Sequence, residues 1–305
     1  MKGYIISRFI QAVASMLIVA IITFVIVRLS GNPLDFLLPE DATKEQVAKA
    51  TRELGLDKPI LVQFGIYLKN LAKGDLGKSI IHNTPVMQLI KERIPATVEL
   101  GLAAMAISII IALPIGVYSA VRFRGTLDFM GRGFSILGQS IPSFWLGLVL
   151  IFLFAVELPI LPVGGRSGPT SYVLPAITLG WYVSAGIMRL VRSSMLDILG
   201  SEYVKLARTK GLSELSVIWK HAFKNAALPV LTFAAILFVF LLTGSVVVEV
   251  VFAWPGVGRL AIQAITHHDY LVVQGVTIIL SAMYIFGNLI VDILYGYLNP
   301  KIKEH

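Results

Sequence analysis

The chain has 305 residues, no cysteine and a net charge of +8. Hydrophobic residues make up 56% of it and charged residues 14%, against about 45–50% and about 25% in a soluble globular domain. With a mean hydropathy of +0.80, this composition excludes a disordered chain and a disulfide scaffold, argues against a soluble enzyme, and points to lipid as the main solvent.

A bilayer core of about 30 Å takes about 20 apolar residues as a helix. Six stretches free of Asp, Glu, Lys and Arg meet that length: 9–27, 100–121, 133–156, 167–188, 225–248 and 270–291. In the fourth, Ser167 to Pro175 reads as loop. Ten-residue alternating strands are absent, so the spans are read as helices. The first follows a basic start, Lys2 and Arg8. Its apolar stretch is too long for a signal peptide, and Leu29-Ser30-Gly31 is a poor cleavage site, so it reads as a retained anchor.

Basic residues set the orientation. With the N-terminus in the cytoplasm, the inner pieces hold fourteen Lys and Arg, and the two short outer loops hold only Arg166 and Arg259. Residues 30–95, with nine basic and eight acidic residues, are long enough to escape the rule. Both termini are expected inside, and the positive charge is read as topology rather than as a nucleic-acid footprint. Three parts follow: residues 1–29 with the first span, an extracytoplasmic helical segment 30–95, and a core 96–305 that includes a cytoplasmic loop 192–229.

In the exported segment, Thr43-Lys44-Glu45-Gln46 is a capping box opening a helix that should stop at Gly55. Pro59 opens a second helix, with Leu61, Phe64, Leu68 and Leu71 on one face and Gly74 as its stop. Thr84-Pro85 opens a third, expected to run to Pro95. The segment is too short for a catalytic domain with its own core. Gly74-Asp75-Leu76-Gly77-Lys78-Ser79 imitates a phosphate loop but has two residues between its glycines where the motif has four, and it reads as a turn.

The loop after the fourth span is too long for a simple connector. Residues 202–210 have helical periodicity and Gly211 ends them. Ser213 is an N-cap for a short helix over 214–223, with Leu215, Ile218, Trp219 and Phe223 as an apolar stripe. Such a helix either lies on lipid or docks a soluble partner.

Ala207, Gly211 and the closing Leu228-Pro229 resemble the EAA loop of ABC importer permeases. Lys205 and Leu206 stand where that motif has its first Glu and Ala, and the glycine-to-proline spacing is longer. The form Ala-Arg-x-Lys-Gly-Leu, followed by His221-Ala222-x-x-Asn225-Ala226-x-x-Pro229, is similar to the peptide and nickel branch. Arg28-Leu29-Ser30-Gly31-Asn32-Pro33, Glu53-Leu54-Gly55-Leu56-Asp57-Lys58-Pro59, Pro95-Ala96-Thr97-Val98-Glu99, the run Val248 to Arg259, His268-Asp269-Tyr270 and Asn299-Pro300-Lys301-Ile302 agree with it.

The chain thus resembles the first of two permease subunits of a dipeptide/oligopeptide ABC importer. The resemblance implies an all-α integral membrane protein of type I importer permease fold, with six transmembrane helices, in a bacterial or archaeal cytoplasmic membrane. It implies a second homologous permease, two cytoplasmic ATPase subunits or domains and an extracytoplasmic solute-binding protein as partners. No nucleic-acid partner is expected. The subunit itself is expected to be non-catalytic and without a cofactor, with ATP and Mg held by the ATPases. In the family the loop carries the coupling helix, which implies coupling roles for Ala207, Gly211, Leu212, Ser213, Glu214, Leu215, Ile218, Trp219 and His221. Peptides are the expected cargo, with nickel or another small solute as the alternative.

Few polar groups fall within the spans: Gln139, Ser140 and Ser143 in the third, Thr243 and Ser245 in the fifth, Ser281 and Asn288 in the sixth. Singly, such groups act as helix–helix glue; together they are candidates for a wet pathway. Pro114, Pro142, Pro175 and Pro229 kink membrane helices or merely ride in them. Glu99 and Glu249, near outer ends of spans, are open to three roles: pairing with the binding protein, facing an outer gate, or local loop structure, the last being preferred. Trp254-Pro255-Gly256-Val257-Gly258 reads as an outer turn or re-entrant element. A secondary transporter is disfavoured because the span centres carry no ionisable group. A membrane hydrolase or metalloenzyme is disfavoured because all five histidines lie outside the spans. His267-His268 reads as loop rather than as a metal site.

Overall fold

The computed structural model describes residues 2–29, 43–53 and 57–298. The motifs at 30–33, 54–56 and 299–302, and the expected helix stop at Gly55, lie outside those residues. Every regular element among the described residues is helical. The helices are α1 (Lys2–Leu29), α2 (Lys44–Glu53), α3 (Ile60–Ala72), α4 (Val86–Val121), α5 (Thr126–Ser140), α6 (Ser143–Ile151), α7 (Val173–Leu199) and α8 (Glu202–Thr209). Then follow α9 (Glu214–Gly244), α10 (Val246–Val251), α11 (Val257–Thr266) and α12 (Tyr270–Leu298). Five helices are long and apolar enough to cross a membrane: α1, α4, α7 with the short helical turn before it, α9 and α12. The bent pair Thr126–Ser140 and Ser143–Glu157 is together long and apolar enough for a sixth, broken span.

The capping box is present as expected. The Thr43 amide donates to Gln46 Oε1 (2.8 Å), and the Gln46 amide donates to Thr43 Oγ1 (3.3 Å), satisfying two orphan donors at the start of α2. Pro59 precedes α3, and Gly74 follows it in the left-handed region at φ 75°. The stripe on α3 differs from expectation at one end. Leu61 is 80% exposed, while Tyr67 joins Phe64 against Phe24 of α1, with ring centroids 5.5 and 5.2 Å from that ring.

Three helix boundaries differ from the sequence reading. The helix opened at Pro85 does not end at Pro95 but runs to Val121. A proline removes only its own ladder bond, and the bonds on either side hold the helix together. The fourth span extends to Leu199, so residues 192–199 are membrane helix continued rather than loop. The short helix after Ser213 does not stop at 223: it passes through a π-helical stretch, Val217–Phe223, into the fifth span, with Pro229 inside the helix. The third span is not one rod. It turns by 102° between α5 and α6. Ile141, forced by Pro142 out of the helical region, adopts φ −83° and ψ 120°.

Contacts divide the chain into two compact units. One comprises Val98–Trp254 with Ile290–His305. In it α7 is the central element, packed against α5, α6 and α9. Glycines allow the approach: a Cβ at Gly180 would lie 2.7 Å from the Ala104 carbonyl oxygen, and one at Gly138 would lie 2.4 Å from Ala185 Cβ. The other comprises Lys2–Thr97 with Pro255–Leu289. Its core is Val86, Ile90, Val257, Leu260, Ala264, Val272 and Val276. Here the glycine-rich run is a turn, as read from its sequence. Asp75 Oδ1 accepts the Gly77 amide at 2.9 Å, and Gly77 has φ 83°. The buried Asp269 accepts the Ser79 hydroxyl, which secures the turn.

Candidate functional site

The loop that resembles a coupling element is a reversal between α8 and α9. α8 ends at Thr209 because Gly211 turns left-handed, at φ 75°, with its amide on the Arg208 carbonyl (2.9 Å). A Cβ at Gly211 would meet nothing within 4 Å. The constraint is therefore the backbone angle rather than contact with a neighbour. Ser213 holds the N-cap backbone position, but its hydroxyl makes no capping bond. Instead, Arg208 grips Glu214 across the turn, Nε to Oε1 at 2.8 Å and Nη2 to Oε2 at 3.4 Å.

The expected apolar stripe is split. Ala207, Val204, Val217, Ile218 and Ala222 are buried, whereas Leu206, Leu212 and Leu215 are exposed. The π-helical stretch shifts the phase of the side chains, so Leu215 leaves the face that Ile218 packs on. Trp219 is half-buried, with its ring edge-on to Tyr118 of α4 (6.4 Å) and to Phe223 (5.3 Å). The backbone carbonyl of His221 accepts the Asn225 side chain (2.7 Å). The exposed side of the reversal thus carries Leu206, Leu212 and Leu215 beside the Arg208–Glu214 pair.

The pathway candidates separate into groups. Gln139, Ser140 and Ser143 come together at the break between α5 and α6. With Tyr182 of α7 and Phe240 and Gly244 of α9 they line an open cleft of about 360 Å³. Gln139 Oε1 accepts Arg189 Nη1 at 3.0 Å, and the Ser140 hydroxyl returns to the Ile136 carbonyl at 2.8 Å. Thr243, beside the cleft-lining Gly244, bonds back to the Phe240 carbonyl (3.2 Å). Ser245 is buried and donates to Glu249 (2.8 Å). Ser281 and Asn288 lie on α12, in the other unit and outside the lining of this cleft; Asn288 bonds to the Tyr284 carbonyl (2.9 Å).

The two glutamates are held by neighbours. Both Glu99 oxygens accept Arg166 Nη2, at 2.7 and 2.6 Å, and Oε2 also accepts the Tyr172 hydroxyl at 2.6 Å. Tyr172 stacks edge-on against the buried Trp254, with centroids 4.7 Å apart. The Gly165 amide bonds to the Phe252 carbonyl (2.8 Å). Glu249 is fully buried and accepts Ser245. Its carbonyl accepts the Trp254 amide (2.8 Å). Both carboxylates are therefore engaged in local structure.

One group escaped the sequence reading. Asp128, the lone acid between Arg122 and Arg132, is fully buried in the first turn of α5. Its oxygens accept Arg192 (2.6 and 3.1 Å), the Ser119 hydroxyl (2.9 Å) and the Arg124 amide (3.1 Å). Weighing basic residues alone assigned Arg192 to topology. An acid placed amid three arginines, Arg122, Arg124 and Arg132, was the available signal.

Two family models together match nearly the whole chain. Residues 112–304 match the inner membrane component of binding-protein-dependent transport systems, and residues 1–101 match the N-terminal region of such membrane components. Among curated relatives, the glutathione transport system permease protein GsiC of Salmonella typhimurium is 37% identical over 304 residues, covering 99% of both chains. A putative peptide transport system permease protein of Brucella abortus is 40% identical over 312 residues, again covering 99% of each. Among solved structures, an inward-facing conformation of the MetNI methionine ABC transporter matches with TM-score 0.59 and 18% identity, over 70% of this chain and 97% of that one. An amino acid ABC transporter matches with TM-score 0.52 and 16% identity, over 69% and 94%.

Proposed function

The chain belongs to the binding-protein-dependent transport system inner membrane component family, and from that premise we propose that it is one permease subunit of an ATP-driven importer of di- or oligopeptides. As a transport permease of this family it forms part of a membrane pathway. The peptide assignment rests on one observation: relatives named for peptide and glutathione transport match it at 37–40% identity from end to end.

In this reading the chain pairs with a second, homologous permease, receives cargo from an extracytoplasmic solute-binding protein, and is driven by two cytoplasmic ATPase subunits. ATP and Mg bind those subunits; this one is non-catalytic. Both termini face the cytoplasm. The reversal at Gly211 is the ATPase contact, because it exposes three leucines beside a fixed ion pair. The cleft at the α5–α6 break is this subunit's share of the pathway, because broken helices are tolerated in membranes where they line a cavity.

Purification of the chain from its native membrane in mild detergent tests the assembly. A second permease and ATPase subunits are expected to co-purify with ATP hydrolysis. A lone chain without ATPase, stable across several detergents, overturns the importer reading. Gly211→Glu is expected to insert normally but to lose ATPase association and uptake. Normal uptake by that variant removes the coupling role of the turn.

A further inference from the structure

We infer that the Asp128 carboxylate is the joint through which movement of the coupling reversal reaches α5, and through α5 the cleft. The inference rests on the permease reading above and assigns a positioning role to a residue outside both the reversal and the cleft.

The geometry is that of a three-way fastening. Arg192 of α7 approaches both carboxylate oxygens, Nε at 2.6 Å and Nη2 at 3.1 Å. A bidentate fork of this kind fixes orientation as well as distance. Ser119 of α4 donates to Oδ1 at 2.9 Å. The Arg124 amide, in the turn between α4 and α5, donates to Oδ2 at 3.1 Å, and Arg124 is held at φ 61°. A non-glycine residue seldom adopts that angle unless its surroundings impose it. One side chain on α5 therefore ties down α4, α7 and the turn.

A second observation links this joint to the reversal. Trp219, within the π-helical part of α9, lies edge-on to Tyr118, the residue before Ser119 on α4. α7, which carries Arg192, ends at Leu199, with only Gly200 and Ser201 between it and α8. Displacement of the reversal thus enters α4 at Tyr118 and α7 at its end, and both helices meet at Asp128. α5 starts beside this joint and ends at Ser140, on the cleft. Glycines close the block: a Cβ at Gly131 would lie 3.0 Å from Ser119 Oγ, and one at Gly116 would lie 2.8 Å from Val191. Helices packed this closely shift together rather than independently. Separating a buried charged fork leaves uncompensated charge and so costs more than parting a surface ion pair, which favours joint movement of the helices it ties.

The test uses the assembled complex in proteoliposomes, with the fluorophore bimane on Leu137→Cys in the last turn of α5; the chain has no cysteine of its own. The signal is the bimane change between Mg-ADP and Mg-ATP. With native Asp128 a nucleotide-dependent change is expected. With Asp128→Asn, ATPase subunits are expected to remain bound and to hydrolyse ATP, while the nucleotide-dependent change is largely lost. A native-sized change in Asp128→Asn overturns the joint while leaving the permease reading intact. Absence of ATPase from the unmutated complex overturns that reading instead. If Asp128→Asn does not accumulate, Arg192→Lys carries the same test, because it keeps both charges and loses only the fork. It too is expected to hydrolyse ATP with a diminished bimane change, and a native-sized change again overturns the joint.

Discussion

At Gly211 the backbone turns left-handed in open space, and at Asp128 a charge is enclosed by donors. The two positions predict different mutational profiles. Gly211→Ala pays for its Cβ in backbone strain, about 1–2 kcal/mol, and Gly211→Asn costs less because asparagine tolerates the left-handed region. Thermal unfolding in detergent is expected to rank the variants glycine, asparagine, alanine. Asp128→Ala strands Arg192, whose side chain is only 20% exposed, and is expected to cost about 3–5 kcal/mol, as breaking a buried pair does. Glu99→Gln is milder. Both partners are more than a third exposed, 39% for Glu99 and 38% for Arg166, so the ion pair contributes at most about 1 kcal/mol. Neither Glu99→Gln nor Glu249→Gln is expected to prevent assembly with the ATPase. If both also leave uptake unchanged, a gating role for these carboxylates is excluded. Gly211 was legible in the sequence because its signal is local, a glycine ending a periodic run. Asp128 was not, because Ser119 and Arg192 are 9 and 64 residues away.

Among the helices, proline identity does not decide where a rod breaks. Pro95 and Pro114 sit within α4, and Pro229 within α9, without ending either helix. Pro142 stands at a 102° turn. There the residue before the proline leaves the helical region, and α7 and α9 line the cleft beside the turn. Replacing Pro142 with Ala restores an amide able to continue the ladder. It is expected to straighten the α5–α6 pair and lower uptake without loss of membrane insertion; uptake at the native rate removes the break from the pathway. Close helix approach gives a second check. Gly180→Ala places a Cβ against the Ala104 carbonyl and is expected to cost about 1–3 kcal/mol, as overpacking does. Gly133→Ala meets no atom within 4 Å. It is expected to be neutral or to stabilise α5 by up to about 1 kcal/mol. Equal melting temperatures for the two variants remove the packing argument. Short-range codes, such as the capping box at Thr43 and the stop at Gly74, were readable. The merging of the 214–223 helix with the fifth span was not, because a π-helical stretch preserves the ladder while changing its phase.

For the molecule as a whole, the distribution of basic residues predicts the topology. In intact cells, Ser167→Cys is expected to react with an impermeant maleimide, whereas Lys210→Cys is expected to react only in inverted vesicles. Reaction of both from one side overturns the orientation. Length, hydropathy and charge determined by themselves that the chain is helical and crosses a membrane several times, and its local motifs placed it among importer permeases. These properties depend on windows of about 20 residues or fewer, which a linear reading captures. Only the tertiary structure decided the rest: a third span bent into a cleft wall, Leu215 turned outward while Ile218 packs inward, and Asp128 joined to two other helices. Each depends on which surfaces meet after the chain has folded back on itself, and hydrogen bonds and packing across tens of residues leave no periodic trace in the sequence.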